Sequence, residues 1–245
     1  MSWRNRTDFD GGFPTVKSPN PENAEALQMG IELAKKENAD LVVATDPDCD
    51  RMGVAVRTAF GETQLLSGNQ IGSLLAYYRT KKLFELGVLT KENAARGVII
   101  KTFVTTDLQK AIAEHFGLRC VETLTGFKYI GAKLGKYECA LPQDRQKNYV
   151  DLSEEETRRL RLEHSSFYVF GGEESFGYSG GDFVRTRTAT APPSCFAKSR
   201  PMPGRETKRW LNCWMRFTPS LVITSNETDR LLSKAQEEPP KFNAF

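Results

Sequence analysis

The apolar residues Ala24, Leu27, Ile31 and Ala34 recur at helical spacing, which predicts a helix with one buried face. Asn20 is placed to cap it, Pro21 suits its first turn, and Glu22 and Glu25 favour the positive end of its dipole. Asn38-Ala39-Asp40 breaks that pattern. Leu41-Val42-Val43-Ala44 follows as a wholly apolar run, expected of a central parallel strand. Gly53-Val54-Ala55-Val56 opens another strand, and Gly61 marks a turn.

A second series repeats this rhythm. Ile71 to Tyr78 reads as a helix, Gly97-Val98-Ile99-Ile100 as a buried strand, and Asp107 to Phe116 as a helix stopped by Gly117. Leu118 to Val121 is a strand, and a short helix is expected from about Phe127. The charged stretch from Ser153 to Arg161 reads as a solvated helix face or lid. Phe167-Tyr168-Val169-Phe170 is the last strand and leads into Gly171-Gly172-Glu173-Glu174. Strands and helices alternating at these lengths predict an α/β fold with mixed or parallel sheets flanked by helices. Ligand groups then belong at the carboxyl ends of strands, where both polar clusters fall.

From Thr186 to Phe245 the apolar residues follow no sustained period of 2 or 3.6. Codons for these residues exist that, with one base restored near Arg185, read as an amphipathic helix pair. Residues 186–245 are therefore expected to be an aberrant, irregular tail produced by a frameshift. The strand ending at Phe170 is expected to lose its packing helices as a result.

Composition narrows the chemistry further. Hydrophobic residues make up 39% and charged residues 27%, with a formal charge of +3, which gives no reason to expect nucleic acid as a partner. No apolar run approaches the roughly 20 residues needed to cross a bilayer, and the first residues lack a signal-peptide core. The five cysteines form neither C-x-x-C pairs nor a disulfide framework, which fits a reducing cytoplasm. They are expected to be small buried groups, and His115 a helix-surface residue. Oligomeric state is not legible.

Asp46, Asp48 and Asp50 alternate in D-P-D-C-D-R directly after the apolar strand. On an extended segment residues two apart project to one side, so three carboxylates would converge and repel unless a cation neutralised them. Hard oxygen donors point to Mg²⁺. Arg51 offers a planar fork for a phosphate beside the metal. An EF-hand would need Gly at loop position six and Glu at twelve, where Arg51 and Arg57 stand, so that reading fails. A D-x-D nucleotide-sugar transferase stays open on motif grounds.

The stretch A-T-D-P-D-C-D-R-M-G-V-A-V, Ala44 to Val56, resembles the metal-binding loop of the α-D-phosphohexomutases, the phosphoglucomutases and phosphomannomutases. The upstream D-G-G-F-P-T-V-K-S-P-N-P-E, Asp10 to Glu22, is similar to that family's lead-in. Gly172-Glu173-Glu174-Ser175-Phe176-Gly177 resembles its sugar-recognition loop, and Thr123 to Lys128 a third loop. The resemblance implies that Asp46, Asp48 and Asp50 bind Mg²⁺ and that Glu173, Ser175 and Gly172 meet the sugar. It also implies that Lys128 and Arg51 serve phosphoryl transfer, on hexose phosphates and hexose bisphosphates. Residues 1–60 would be the end of the family's second domain and 61–185 its third. The chain shows no T-A-S-H-N-P loop to carry the phosphoserine and no fourth-domain phosphate loop, so it is expected to be an incomplete, inactive fragment. A non-catalytic Mg²⁺ and sugar-phosphate binding fragment is the alternative.

Overall fold

The computed structural model describes residues 11–58, 60–146, 149–182 and 185. The expected aberrant tail, residues 186–245, lies outside them. In chain order the elements are helix α1 (Ala24–Lys36), strands β1 (Leu41–Thr45), β2 (Met52–Arg57) and β3 (Thr63–Leu65), and helix α2 (Gly68–Glu85). There follow β4 (Gly97–Thr102), α3 (Leu108–His115), β5 (Arg119–Thr123), α4 (Phe127–Cys139) and the single turn α5 (Gln143–Gln146). Helix α6 (Glu154–His164), β6 (Phe167–Gly172) and β7 (Tyr178–Ser179) complete the set.

Two sheets result. The first has the order β1-β2-β3 and is antiparallel throughout. Leu41–Thr45 is therefore not the central parallel strand its apolar run suggests: it pairs with β2 alone, and Val43 is 40% exposed. The reason is the connection. A parallel return needs a crossover of about a dozen residues, whereas Asp46 to Arg51 is a tight loop that sends the chain straight back. Leu27 and Ile31 of α1 pack on Ala55, with Val42 and Ala44 at the edge of that cluster. Asn20 does not cap α1. Its side chain accepts from the Glu22 N–H at 3.1 Å, forming a turn ahead of a helix that begins at Ala24.

The second sheet has the order β5-β4-β6-β7, with β4 parallel to both β5 and β6 and β7 antiparallel to β6. Every residue of β4 and β6 is buried. Helix α4 covers one face, where Phe127, Ile130 and Leu134 meet Val98, Ile100 and Tyr168. Helix α2 packs on β6 and on α3, and α6 lies against the start of β6. α2, α4 and α6, all N-terminal to β6 in the chain, pack against it, while the helices it was expected to lose would follow Arg185 and lie outside the described residues.

Helix starts follow capping chemistry that the apolar periodicity alone does not show. Ser67 accepts from Gln70 N–H while the Gln70 side chain accepts from Ser67 N–H, so α2 begins three residues before Ile71. Ser153 and Glu156 form the same reciprocal pair at α6. The charged stretch is a helix as expected, but Arg161 is buried, with Nε donating to the Tyr149 hydroxyl at 2.7 Å. Three cysteines depart from expectation too: Cys49 and Cys120 are half-buried and Cys139 is exposed, while Cys195 and Cys213 lie outside the described residues. His115 lies on the helix surface against Phe116.

Three phenols sit in this core. Burial pushes Tyr149 up to about 12, helped by the Asp182 carboxylate, and burial raises Tyr168 and Tyr178 as well. A group whose folded pKa lies above its unfolded value stabilises the fold below the unfolded pKa and loses that contribution as pH climbs. Stability is therefore expected to fall from about pH 10 upward, the ordinary phenol value. Urea midpoints at about pH 9 and about pH 11 test this, and equal midpoints would contradict it.

Candidate functional site

The metal loop is a turn, not an extended segment. Cys49 N–H donates to the Asp46 carbonyl at 3.1 Å, and Cys49 itself adopts the left-handed region with φ 56°. This reversal gathers the three carboxylates: one oxygen from each of Asp46, Asp48 and Asp50 lies within 4.8 Å of the others. The alternation placed the right residues together, although the backbone does so by curling. Cys49 Sγ lies 3.5 Å from Thr45 Oγ1.

Asp46 anchors the loop. It is 5% exposed, and its Oδ1 accepts from the amides of Asp50 and Arg51, both at 3.0 Å. The other oxygen, Oδ2, is buried without a hydrogen bond, because Arg51 Nε stands 3.1 Å away but off the hydrogen-bond line. Burial raises the Asp46 pKa, and the neighbouring Asp50 and Asp48 charges add to this against the Arg51 amide. Asp48 is exposed and Asp50 half-buried. A buried carboxylate converging with two more accessible ones fits a hard divalent cation: oxygen donors, several negative charges, and Asp48 open to solvent.

Arg51 is more heavily engaged than its sequence reading implied. Its guanidinium meets Asp46, Asp50 at 3.5 Å and Glu22 at 3.3 Å. Burial alone would lower its pKa, but these carboxylates outweigh that and hold it above the ordinary value. Glu22, at the end of the Asp10–Glu22 lead-in, was not singled out from sequence. Its role follows from a contact across 29 residues.

The second loop leaves β6. Glu173 is buried, and its Oε1 accepts from Gly126 N–H at 2.7 Å. Gly126, with φ 111°, is the residue from which α4 starts, so Glu173 grips the third loop at its base. Glu173 N–H donates to the Gly177 carbonyl at 2.9 Å, closing the loop on itself. Ser175 is half-buried. The carbonyl of Phe176 accepts from Met52 N–H at 3.0 Å, tying this loop to the residue two positions after Asp50. Three loops far apart in sequence are thereby linked in series. Gly172 has a packing reason for being glycine: a Cβ there would approach the Tyr178 ring to 2.9 Å and the Phe170 ring to 3.3 Å. Lys128 is exposed on the first turn of α4, with Nζ 5.1 Å from the centre of the Tyr129 ring.

Glu174, Thr102 and Thr105 also belong to this region, and sequence reading passed over them. Glu174 Oε2 accepts from both threonine hydroxyls, each at 3.1 Å. Their only advance sign was position at the carboxyl end of a buried strand.

Residues 4–61 match the sequence model of phosphoglucomutase/phosphomannomutase alpha/beta/alpha domain II, and residues 67–142 that of alpha/beta/alpha domain III. The chain belongs to the α-D-phosphohexomutase superfamily. It is 35% identical over 180 residues to a phosphoglucomutase of Staphylococcus epidermidis and 34% identical over 180 residues to one of Staphylococcus aureus. Each alignment covers 74% of this chain and 27% of the relative, so the chain spans about a quarter of the length of the curated relatives it matches. A phosphoglucomutase/phosphomannomutase family protein from Burkholderia thailandensis, known from its crystal structure, shares the fold with a TM-score of 0.51 at 20% identity. That superposition covers 77% of this chain and 31% of the other. Membership in this superfamily replaces the D-x-D nucleotide-sugar transferase reading. Among the described residues, no helix of this phosphohexomutase relative is long and apolar enough to cross a membrane.

Proposed function

We propose that this chain supplies the metal loop and the sugar-recognition loop of a phosphohexomutase, an enzyme that moves phosphate between O1 and O6 of a hexose through a bisphosphorylated intermediate. The observation that carries this is the acidic loop, in which one oxygen from each of Asp46, Asp48 and Asp50 lies within 4.8 Å of the others. Asp46, Asp48 and Asp50 would hold Mg²⁺, which when bound neutralises charge on the phosphoryl group. Arg51 keeps the carboxylates in register and directs its remaining donors to phosphate. Glu173 accepts from adjacent sugar hydroxyls, and Ser175 both donates and accepts. Lys128 supplies a cation near the transferred group.

Residues 1–60 would then be the end of the family's second domain and 61–185 its third, acting in the cytoplasm on hexose phosphate and hexose bisphosphate, glucose favoured. The 245 residues contain no T-A-S-H-N-P sequence to carry a phosphoserine. The chain by itself is expected to be an incomplete, inactive fragment, with a non-catalytic Mg²⁺ and sugar-phosphate binder as the alternative.

Calorimetry with Mg²⁺ and then glucose 1-phosphate tests the reading. Asp48→Asn, at an exposed position, is expected to leave stability unchanged and weaken Mg²⁺ affinity about tenfold or more. Unchanged affinity in a folded Asp48→Asn sample would end the proposal. Substantial mutase turnover by the purified chain with added glucose 1,6-bisphosphate would overturn its inactivity.

A further inference from the structure

Adjacent glutamates on the sugar loop point to different partners. Glu173 reaches Gly126, whereas Glu174 Oε2 lies 3.1 Å from the hydroxyls of Thr102 and Thr105, which are themselves 2.7 Å apart. Two hydroxyl protons serve three close oxygen contacts. Either both donate to the carboxylate, or one donates to the other and that one to the carboxylate; in each case Oε2 receives a threonine hydroxyl. Both threonines are buried, at 0% and 3% exposure. Their platform is firm: Lys101, wholly buried, donates from Nζ to the Thr105 carbonyl at 3.0 Å. Its charge is balanced by Asp107 at 3.1 Å and Glu122 at 3.0 Å.

The backbone of Glu174 is fixed as well. A Cβ on Gly68 would stand 1.8 Å from the Glu174 carbonyl oxygen, so helix α2 starts hard against this peptide. Tyr178, just beyond the loop, donates its hydroxyl to the Gly68 carbonyl at 2.7 Å and ties the far side. Glu174 is thus held by side chain and main chain together, with Oε2 committed to protein donors.

We infer that Glu174 is a positioning residue: pinned by the Thr102–Thr105 hydroxyl pair, it fixes the sugar-recognition loop so that Glu173 and Ser175 face the hexose in one geometry. This rests on the assignment of Glu173 and Ser175 as sugar ligands. Without that anchor, a loop bounded by Gly172 and Gly177 and carrying Phe176 in the left-handed region at φ 65° has several accessible paths. Preorganisation of the loop is lost, while the metal loop keeps all its ligands.

The test uses the full chain in four forms: the native protein, Glu174→Ala, Glu174→Gln, and the double variant Thr102→Val with Thr105→Val. Amide hydrogen exchange of residues 172–177 and of Gly126 is the ligand-independent readout. Exchange there is expected to quicken about tenfold or more in Glu174→Ala and in the double variant. It should stay near native in Glu174→Gln, whose amide oxygen still accepts. Calorimetry is expected to show glucose 1-phosphate affinity falling about tenfold in the same two variants, with Mg²⁺ affinity unchanged. Native-like exchange in Glu174→Ala would overturn the inference. So would faster exchange spread over the whole fold, since that is general destabilisation and not loop positioning. If exchange changes as expected but the native chain binds no glucose 1-phosphate, the anchor stands and the sugar assignment fails.

Discussion

Replacing Asp46 with alanine is expected to abolish Mg²⁺ binding and to weaken the fold at the same time. The residue does two jobs with two oxygens. Oδ1 receives the Asp50 and Arg51 amides at 3.0 Å, and Oδ2 is the buried oxygen without a hydrogen bond. Alanine orphans two amides, at about 1–3 kcal/mol for each that is left buried and unsatisfied. It also removes one of three carboxylates, expected to lower Mg²⁺ affinity about a hundredfold or more. Asp46→Asn separates the two effects, since its amide oxygen can still receive the backbone donors while the charge is gone. Asparagine should therefore melt near the native protein and bind Mg²⁺ as poorly as alanine. Calorimetry and thermal melts of the three proteins decide it. Native affinity in Asp46→Asn would show that the acidic loop is an internally bonded turn and not a metal site.

Replacing Phe170 with alanine is expected to cost about 3–5 kcal/mol, the range for deleting a buried aromatic ring. That is a large fraction of the ordinary 5–15 kcal/mol stability of a domain. Phe170 is 2% exposed, and its ring stacks on Tyr178 with centroids 6.3 Å apart at 24°. Gly172 fits between those rings, so the cavity would open directly beneath the sugar loop. Leucine at the same place retains most of the volume and should cost far less. Urea denaturation of the pair provides the check: a loss below about 1 kcal/mol in Phe170→Ala would mean that the rings do not support the loop.

The alternation of β4, α3, β5 and β6 was readable from local patterns: apolar runs in β4 and β6, a helical stripe in α3, and Gly117 with φ 72° as its stop. The convergence of the aspartate triplet was readable too, since residues at period two after an apolar strand are brought to one place by a short loop. Residues Glu173 and Ser175 follow β6, as expected for the loop that leaves the strand Phe167–Phe170.

What sequence misjudged were features fixed by partners distant along the chain. Leu41–Thr45 is apolar in either kind of strand, and only its antiparallel pairing with Met52–Arg57 decides that it lies at a sheet edge among the described residues. Short strands such as Thr63–Leu65 and Tyr178–Ser179 carry too few residues for any period, so pairing alone defines them.

Residue types in local order therefore determined the α/β character and the convergence of three carboxylates, because burial and helical spacing act between near neighbours. The tertiary structure alone decided how those loops meet: Met52 against Phe176, Glu173 against Gly126, Glu174 against Thr102 and Thr105. Each of these is a hydrogen bond between segments separated by 47 to 124 residues, and no local propensity encodes a bond whose donor and acceptor meet only after the sheets have packed.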